Sequence, residues 1–361
     1  MTESEARIAA LAKCIPEPDE TMLTCARQRQ AQLIKPPGAL GRLEALAIQI
    51  AALTGQERPP WQQRQIVVFA GDHGVASAGV SAYPSAVTAQ MVHGFCHGTA
   101  AINALARAAG SRLLVVDVGV ATDFPPELPI VHRKVRPGTR SFLDEPALSR
   151  DETIAAIAVG VEVIAGAGRI DLLALGEMGI GNTTAAAAVA SALLSTDPAD
   201  LVGRGTGVDE AGLARKLAVV RCGLARHQPN PDDPIGVLAA VGGLEIAALV
   251  GAMLAAAARR IPILLDGFIG GAAALAAVRY APSVRPYLIA SHCSAEAGHR
   301  LILASLELAP LLDLDLRLGE ASGAALAMPI VVAALATHAE MSTFAEAGVD
   351  VALESVESPV D

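Results

Sequence analysis

The chain of 361 residues is poor in aromatic side chains and in positive charge. Aromatic residues make up 3% of it, which leaves few surfaces on which the bases of a single-stranded nucleic acid can stack. Its 27 basic residues are outnumbered by 37 acidic ones, so the net charge is −10 and disfavours nucleic acids and anionic membranes as partners. An anionic ligand therefore needs a local site, because the overall field repels it.

The chain also lacks paired cysteines and a leader sequence. Its cysteines are Cys14, Cys25, Cys96, Cys222 and Cys293. They are scattered, with no Cys-x-x-Cys pair, which disfavours a disulfide framework or a zinc site. The start, MTESEARIAALAK, has no basic residues followed by an apolar centre, as a signal peptide would. We therefore expect a cytoplasmic protein.

One apolar segment is long enough to span a membrane. Residues 236–258, GVLAAVGGLEIAALVGAMLAAAA, exceed the roughly 20 residues that a spanning helix needs. However, Glu245 interrupts the segment, and alanine and glycine supply most of its apolar character. We expect a buried pair of helices and no membrane association.

Short runs rich in valine, isoleucine and leucine alternate with long alanine-rich segments. The runs are QIVVFAGD (65–72), RLLVVDVG (112–119), IDLLALGE (170–177), IPILLDGF (261–268) and PYLIASHC (286–293). Such runs, separated by helical segments, are typical of buried parallel strands. We predict an α/β fold, a doubly wound, Rossmann-like parallel sheet flanked by alanine-rich helices. Polar residues follow the carboxyl ends of the strands, where such sheets bind ligands.

Both ends of the chain differ from this pattern. The first sixty residues read as amphipathic helices interrupted by KPPGALGRLE (35–44), and the chain after Pro329 is helical before the polar end ESVESPVD. We predict a large α/β catalytic domain over 61–329 and a small helical domain from 1–60 plus 330–361.

A glycine-rich elbow, GEMGIGNTT, follows the third run. Gly179 and Gly181 let the backbone approach a ligand, and Asn182 or Thr183 can cap the helix that follows. The start of such a helix favours an anion. The elbow lacks both the lysine of a P-loop and the spacing of a dinucleotide fingerprint, so it suits a monophosphate. A plain strand-to-helix turn is the alternative, and Glu177 at the mouth is unfavourable to a phosphate.

Two further segments carry charged candidates. VGRGTGVDEAGLARK (202–216) contains Gly205 in a donor-rich loop and Lys216 in a helix, from which the ammonium can return to a phosphate; a solvated lysine is the alternative. In LRLGEASGAALAMPIV (316–331), Glu320 lies among small residues. Desolvation there makes it a better base than an exposed glutamate, unless it only favours a helix start.

Two loops can supply the remaining contacts. In FAGDHGVASAGVSAYPSAVTAQM (69–91), Ser81, Tyr83 and Gln90 can line a pocket for a flat ring. Asp72 and His73 in the same loop have no third ligand at metal-like spacing, so a role in fixing the loop is expected. SHCSAEAGH (291–299) suits polar contacts to a sugar better than a Cys–His nucleophile.

Together these segments resemble one family, the nicotinate-nucleotide:dimethylbenzimidazole phosphoribosyltransferases of cobalamin (vitamin B12) nucleotide-loop assembly. The similar blocks are KPPGALGRLE, GDHGV, YPS with VTAQMV, GEMGIGNTT, VGRGTG, DGF, SHCSAEAGH and LRLGEASGAALA, in the family's order and over nearly the whole chain. GEASG departs from the GEGSG expected of the family. Alanine at 321 is tolerated if its backbone angles are ordinary.

The resemblance implies transfer of the phosphoribosyl group of nicotinate mononucleotide to 5,6-dimethylbenzimidazole. The products are α-ribazole 5′-phosphate and nicotinate, with inversion at C1′. The resemblance further implies a homodimer that needs no metal and no other cofactor. The alternatives are another acceptor (adenine, another benzimidazole or a phenol), a nucleotide-dependent oxidoreductase, or a binding protein that keeps the pocket.

The resemblance also implies roles for single residues. Glu320 is the general base, and Glu177 lies near the ribose and the reaction centre. The substrate-binding residues it implies are Ser81, Tyr83, Gln90, Gly179, Gly181, Asn182, Thr183, Gly205, Lys216, Asp266 and Ser291.

Overall fold

The computed structural model describes residues 2–350, so the end ESVESPVD (354–361) lies outside the described residues. The strands are β1 (Arg64–Gly71), β2 (Arg112–Gly119), β3 (Val131–His132), β4 (Leu172–Met178), β5 (Ile263–Leu265), β6 (Leu288–Ala290), β7 (His292–Cys293) and β8 (Leu312–Asp313). The helices up to the middle of the chain are α1 (Glu3–Lys13), α2 (Glu20–Gln32), α3 (Arg42–Thr54), α4 (Ala86–His97), α5 (Ala101–Ala108), α6 (Arg150–Gly166) and α7 (Asn182–Leu194). They are followed by α8 (Glu210–His227), α9 (Pro234–Val241), α10 (Leu244–Ala258), α11 (Phe268–Tyr280), α12 (His299–Ser305), α13 (Ser322–Glu340) and α14 (Phe344–Ala347).

The main sheet is parallel throughout and has the strand order β3-β2-β1-β4-β5-β6. The predicted doubly wound sheet is confirmed, and each predicted run contains a strand. The chain runs outward in one direction from β1 and in the other from β4, so the topological switch point lies between these two strands. Ligands bind at such a point, and Phe69 pairs there with Glu177. Strands β7 and β8 form a separate parallel pair.

The chain forms two compact units. The first consists of Met1–Glu17 with Gln62–Pro329, and the second of Pro18–Trp61 with Ile330–Asp361. Residues 1–17 thus group with the large unit, whereas the sequence assigned them to the small domain. The reason is that the apolar face of α1 packs against α6 and α10, and the carboxylate of Glu5 pairs with Arg150 at 2.9 Å.

In the second unit, a buried arginine connects α2 to the end of α13. The guanidinium of Arg29 on α2 donates to the carbonyl oxygens of His338 (2.7 Å), Ala339 (3.1 Å) and Met341 (3.1 Å) at the end of α13. Gln30 lies 2.9 Å from Nδ1 of His338. These bonds satisfy the last carbonyl groups of the helix, which have no partners within it.

The segment with the length of a membrane span forms two buried helices, α9 and α10, as predicted. Glu245 lies in the first turn of α10, where Nε2 of His73 is 2.6 Å from its carboxylate and both side chains are fully buried. Among residues 2–350, one helix, α13, is long and apolar enough to cross a membrane, and 56% of its apolar window is buried within the protein. A core helix of a soluble protein has the same length and composition.

Helices α6 and α10 touch backbone to backbone. A Cβ atom added at Gly160 would overlap the carbonyl oxygen of Ala248, and one added at Gly251 would overlap that of Ile157. Only glycine at both positions permits this approach, which seats α10 against the sheet.

We expect Gly251→Ala to lower the thermal unfolding temperature, because overpacking a close contact costs about 1–3 kcal/mol. The matched control is Gly270→Ala in α11, where an added Cβ meets no atom within 4 Å. The control should be neutral or stabilising by up to about 1 kcal/mol, because alanine favours helix over glycine. Equal shifts in the two variants, measured by calorimetry, would contradict the backbone contact.

Candidate active site

A cavity of about 500 Å³ opens beyond the carboxyl end of β4. Its walls come from α4, from the elbow between β4 and α7, from the loop around Gly205, from the start of α11 and from the segments near 292–296 and 317–320. All of them belong to the first unit. The cavity therefore lies at the edge of the sheet where a doubly wound fold binds its ligands.

Two glutamates from distant parts of the chain line this cavity. Glu177 is the penultimate residue of β4, and Glu320 precedes α13. The loop of Glu320 lies directly on the strand, since a Cβ added at Gly176 would overlap the backbone of Ala321. A Cβ at Gly319 would come within 2.5 Å of the Glu177 carboxylate. Because neither glycine has a side chain, the loop of Glu320 can lie against β4. Glu320 and Glu177 therefore reach the same cavity.

Burial changes the proton affinity of both glutamates. It raises the pKa of Glu320 to about 7, and the charge of Asp266 adds to the effect. The pKa of Glu177 is raised well above its ordinary value, first by burial and then by the charges of Asp266, Glu245 and Glu320. Oε2 of Glu320 is buried without a hydrogen-bond partner. A carboxylate with a pKa near neutrality and a free oxygen is suited to accept a proton.

The loop that carries Glu320 has an unusual backbone. Gly319, Glu320 and Ala321 are all left-handed, with φ of 83°, 61° and 65°. The condition under which alanine at 321 was expected to be tolerated, ordinary backbone angles, is therefore not met. For a residue with a Cβ this conformation costs roughly 1–2 kcal/mol, so the surroundings must hold the loop in place.

Asp266, expected to bind substrate, is instead bonded to this loop. Its carboxylate accepts the backbone N–H groups of Ala321 (3.1 Å), Gly323 (2.8 Å) and Ala324 (3.1 Å), and it does not line the cavity. Ser291 is not a lining residue either; its hydroxyl lies 3.0 Å from Nδ1 of His292.

A cationic corner forms where the elbow meets the loop of Gly205. Nζ of Lys216 donates to the hydroxyl of Thr183 at 3.0 Å. A Cβ added at Gly205 would come within 2.7 Å of that hydroxyl and 2.8 Å of the ammonium nitrogen. Lys216 is 1% exposed, and burial lowers its pKa to about 8, against the raising effect of Glu296. An anion in this corner would restore the preference of Lys216 for its charged form.

The elbow itself differs from the expected capping. Gly181, left-handed at φ 99°, is the residue before α7, and no side chain caps the helix. The amide of Asn182 donates to Glu177 instead, and Thr183 accepts from Lys216. Gly179 lines the cavity and Gly181 does not.

The opposite wall of the cavity is apolar. Val87 and Met91, one turn apart on α4, face it together with Ile180, Phe268 and Leu318. Of the residues expected around a flat ring, Tyr83 lines the cavity and is 55% exposed.

The other two expected ring contacts lie elsewhere. The hydroxyl of Ser81 is 3.1 Å from that of Thr206, and Gln90 is exposed on α4 outside the lining.

Comparison with known proteins now identifies the family, because a family described as phosphoribosyltransferase matches residues 15–349. The chain belongs to this family. The nicotinate-nucleotide–dimethylbenzimidazole phosphoribosyltransferase of Chloroflexus aurantiacus is 55% identical over 333 residues, which are 92% of this chain and 95% of the relative. The protein of the same name from Roseiflexus sp. is 51% identical over 357 residues, or 98% and 99% of the two chains. The crystal structure of CobT from Thermus thermophilus has a TM-score of 0.89 at 48% identity and covers 92% of this chain and 100% of its own.

The sequence did not point to several residues that line the cavity of this phosphoribosyltransferase. Met91, Phe268 and Leu318 gave no signal, because apolar side chains beside a helix or strand look like ordinary core. Glu296 and Arg317 lie in segments singled out for other residues. Glu296 is buried and its Oε2 has no hydrogen-bond partner, while Arg317 donates to the carbonyl oxygen of Gly205 at 3.1 Å.

We expect Gly205→Ala to weaken binding of a phosphate-bearing ligand to the phosphoribosyltransferase by about 10-fold or more, since an added Cβ would displace Thr183 and Lys216. A hydrogen bond to a charged group is worth about 1.5–3 kcal/mol. The matched control is Gly207→Ala, at a left-handed glycine of the same loop where an added Cβ meets nothing within 4 Å. Calorimetric titration tests both variants, and equal losses would argue against an anion site at Gly205.

Proposed function

We propose that this phosphoribosyltransferase moves the phosphoribosyl group of nicotinate mononucleotide to 5,6-dimethylbenzimidazole, with inversion at C1′. The observation that carries the proposal is that Glu177 and Glu320 line one cavity, which Thr183 and Gly205 beside Lys216 and several apolar side chains also line. The names of the relatives, which are similar over more than nine-tenths of both chains, support the same substrates.

The cationic corner holds the phosphate of the donor. Thr183 and Lys216 supply a hydroxyl and an ammonium group, and the absence of a side chain at Gly205 lets its loop lie directly against both groups. The start of α7 adds a favourable dipole, because no side chain caps it. The phosphate thus lies away from Glu177, whose charge would otherwise repel it.

The apolar wall holds the acceptor. A benzimidazole is flat and neutral, and burying it against Met91, Phe268 and Leu318 removes apolar surface from water. A cavity of about 500 Å³ is within the usual size of sites for small molecules, roughly 300–1,000 Å³.

The chemistry needs a base and no acid. A benzimidazole nitrogen attacks C1′ with its lone pair, while the bond from C1′ to the nicotinate nitrogen breaks and its electrons neutralise that pyridinium nitrogen. The leaving group therefore requires no proton. His292, which lines the cavity, has its pKa lowered to about 4 by burial and stays neutral.

Glu320 removes the proton that the attack makes acidic. The second nitrogen of the benzimidazole carries an N–H, and positive charge on the ring increases its acidity. The carboxylate of Glu320, which lines the cavity, accepts this proton, and the benzimidazole ring of the α-ribazole 5′-phosphate is left neutral.

Glu177 faces the sugar. Its raised pKa means that the empty site tends to hold a proton there. A cationic pyridinium, and the positive charge that develops on the ribose, both favour release of this proton and are stabilised by the resulting carboxylate. Its amide partner Asn182 keeps it directed into the cavity.

We further propose that the enzyme is a cytoplasmic homodimer whose partners are these small molecules. The scattered cysteines support the compartment, and the family resemblance supports the dimer.

Glu320→Gln should lower kcat about 10²–10⁴-fold, the usual contribution of a general base, because glutamine has the same size and cannot accept the proton. The KM values of the two substrates serve as internal controls and should change little. Product formation is followed by mass spectrometry with a panel of acceptor bases that includes adenine and a phenol. An unchanged kcat would remove Glu320 from the mechanism.

The pH dependence of kcat/KM should show an acid limb near pH 7. Below the raised pKa of Glu320, about 7, the carboxyl group is protonated and cannot act as a base. The limb should disappear from the residual activity of the Glu320→Gln variant. A limb near 4.5, the ordinary value of a glutamate, would contradict this assignment.

A further inference from the structure

The loop of Glu320 is held in an unfavourable conformation by its neighbours. Three consecutive residues are left-handed, and two of them, Glu320 and Ala321, carry a Cβ. Glycine adopts such angles readily, whereas an alanine populates them about 5- to 30-fold less, the equivalent of its steric cost. The chain therefore needs a specific contact to keep residue 321, and with it the base, in place.

Asp266 supplies that contact. It follows β5, which pairs with β4, the strand that carries Glu177, and it is 3% exposed. One carboxylate oxygen accepts the N–H of Ala321, and the other accepts those of Gly323 and Ala324. The bonds tie the residues immediately after Glu320 to the end of β5, and the contact of Ala321 with Gly176 brings the same loop against β4.

We propose that Asp266 is a positioning residue, which aims the general base Glu320 by anchoring its left-handed loop to the sheet. The proposal rests on the proposed function, because it assigns no contact between Asp266 and either substrate. It replaces the substrate-binding role that the sequence had indicated for Asp266, since the side chain is directed at backbone N–H groups and not at the cavity.

The test compares Asp266→Asn, Ala321→Gly and the double variant with the unaltered enzyme. Asparagine keeps the shape of the side chain, but the NH2 group that replaces one oxygen cannot accept an N–H as that oxygen did. We expect kcat to fall about 10²-fold, the usual effect of displacing a catalytic group by about 1 Å, with both KM values nearly unchanged. Ala321→Gly should recover part of this loss in the double variant, because glycine needs less help to stay left-handed.

The pH profile separates positioning from a loss of folded protein. Among the described residues, the charged or titratable groups that share the cavity with Glu320 or act on it are Glu177 on β4, Asp266 after β5, His292 on β7, and Glu296 and Arg317 in the loops. Removal of the negative charge at 266 should shift the acid limb of kcat/KM to lower pH, since this charge raises the pKa of Glu320. A smaller folded fraction would lower activity at every pH and leave the limb where it is.

Three results would overturn the positioning role. They are an unchanged kcat in Asp266→Asn, a rise in one KM alone, and an acid limb that does not move. If Asp266→Asn fails to fold, amide hydrogen exchange of residues 319–324 in the unaltered enzyme decides: slow exchange supports the anchor, and the rate of an unprotected loop overturns it. Glu320→Gln is measured in parallel. Its full activity would overturn the proposed base, whereas its inactivity beside a fully active Asp266→Asn would overturn the positioning role alone.

Discussion

Mutual repulsion among buried carboxylates is the constraint on which this site depends. Glu177, Asp266 and Glu320 lie at the end of one parallel sheet, each with its pKa raised by burial. Their charges cannot all be present without a compensating cation. The protein provides backbone N–H groups for Asp266 and the Asn182 amide for Glu177, and it leaves one oxygen of Glu320 unpaired. Glu320 lines the cavity, and we propose that its carboxylate takes a proton from the substrate.

The arrangement separates two charges that would interfere. Lys216, which suits a phosphate, is buried against the lining residues Thr183 and Gly205, and we propose that the acids lie where positive charge develops on the sugar. The elbow between β4 and α7 serves both ends, since Asn182 bonds to Glu177 and the next residue, Thr183, bonds to Lys216. The carboxylate of Glu177 is therefore compatible with a phosphate bound nearby. Of the two adjacent side chains, Asn182 bonds to this carboxylate and Thr183 bonds to the ammonium group of Lys216.

The sequence predicted the parallel sheet, because its strands are continuous apolar runs that end in polar residues. It also pointed to Glu177, Glu320 and Lys216, since each stands beside a glycine-rich loop. It did not predict the role of Asp266, whose partners are backbone groups far along the chain, or the backbone at Ala321, which depends on a tertiary contact. Ser81 and Gln90 were expected around a ring. The loop sequence does not determine which way Ser81 turns, and the sequence did not show that Gln90 lies on the exposed side of α4. The sequence also did not show that α1 belongs to the first unit, because the pattern of an amphipathic helix does not indicate which unit its apolar face covers.

The raised pKa values of the buried carboxyl groups also make the free energy of folding depend on pH. A carboxyl group that binds protons more tightly when folded than when unfolded makes folding less favourable as pH rises between its two pKa values. For Asp266 and Glu320 this interval runs from the ordinary values, 3.8 and 4.5, to about 7. The empty enzyme thus gives up conformational stability over the range in which its base becomes competent. A positively charged donor in the cavity offsets that loss, so that substrate acts as a folding ligand as well as a reactant.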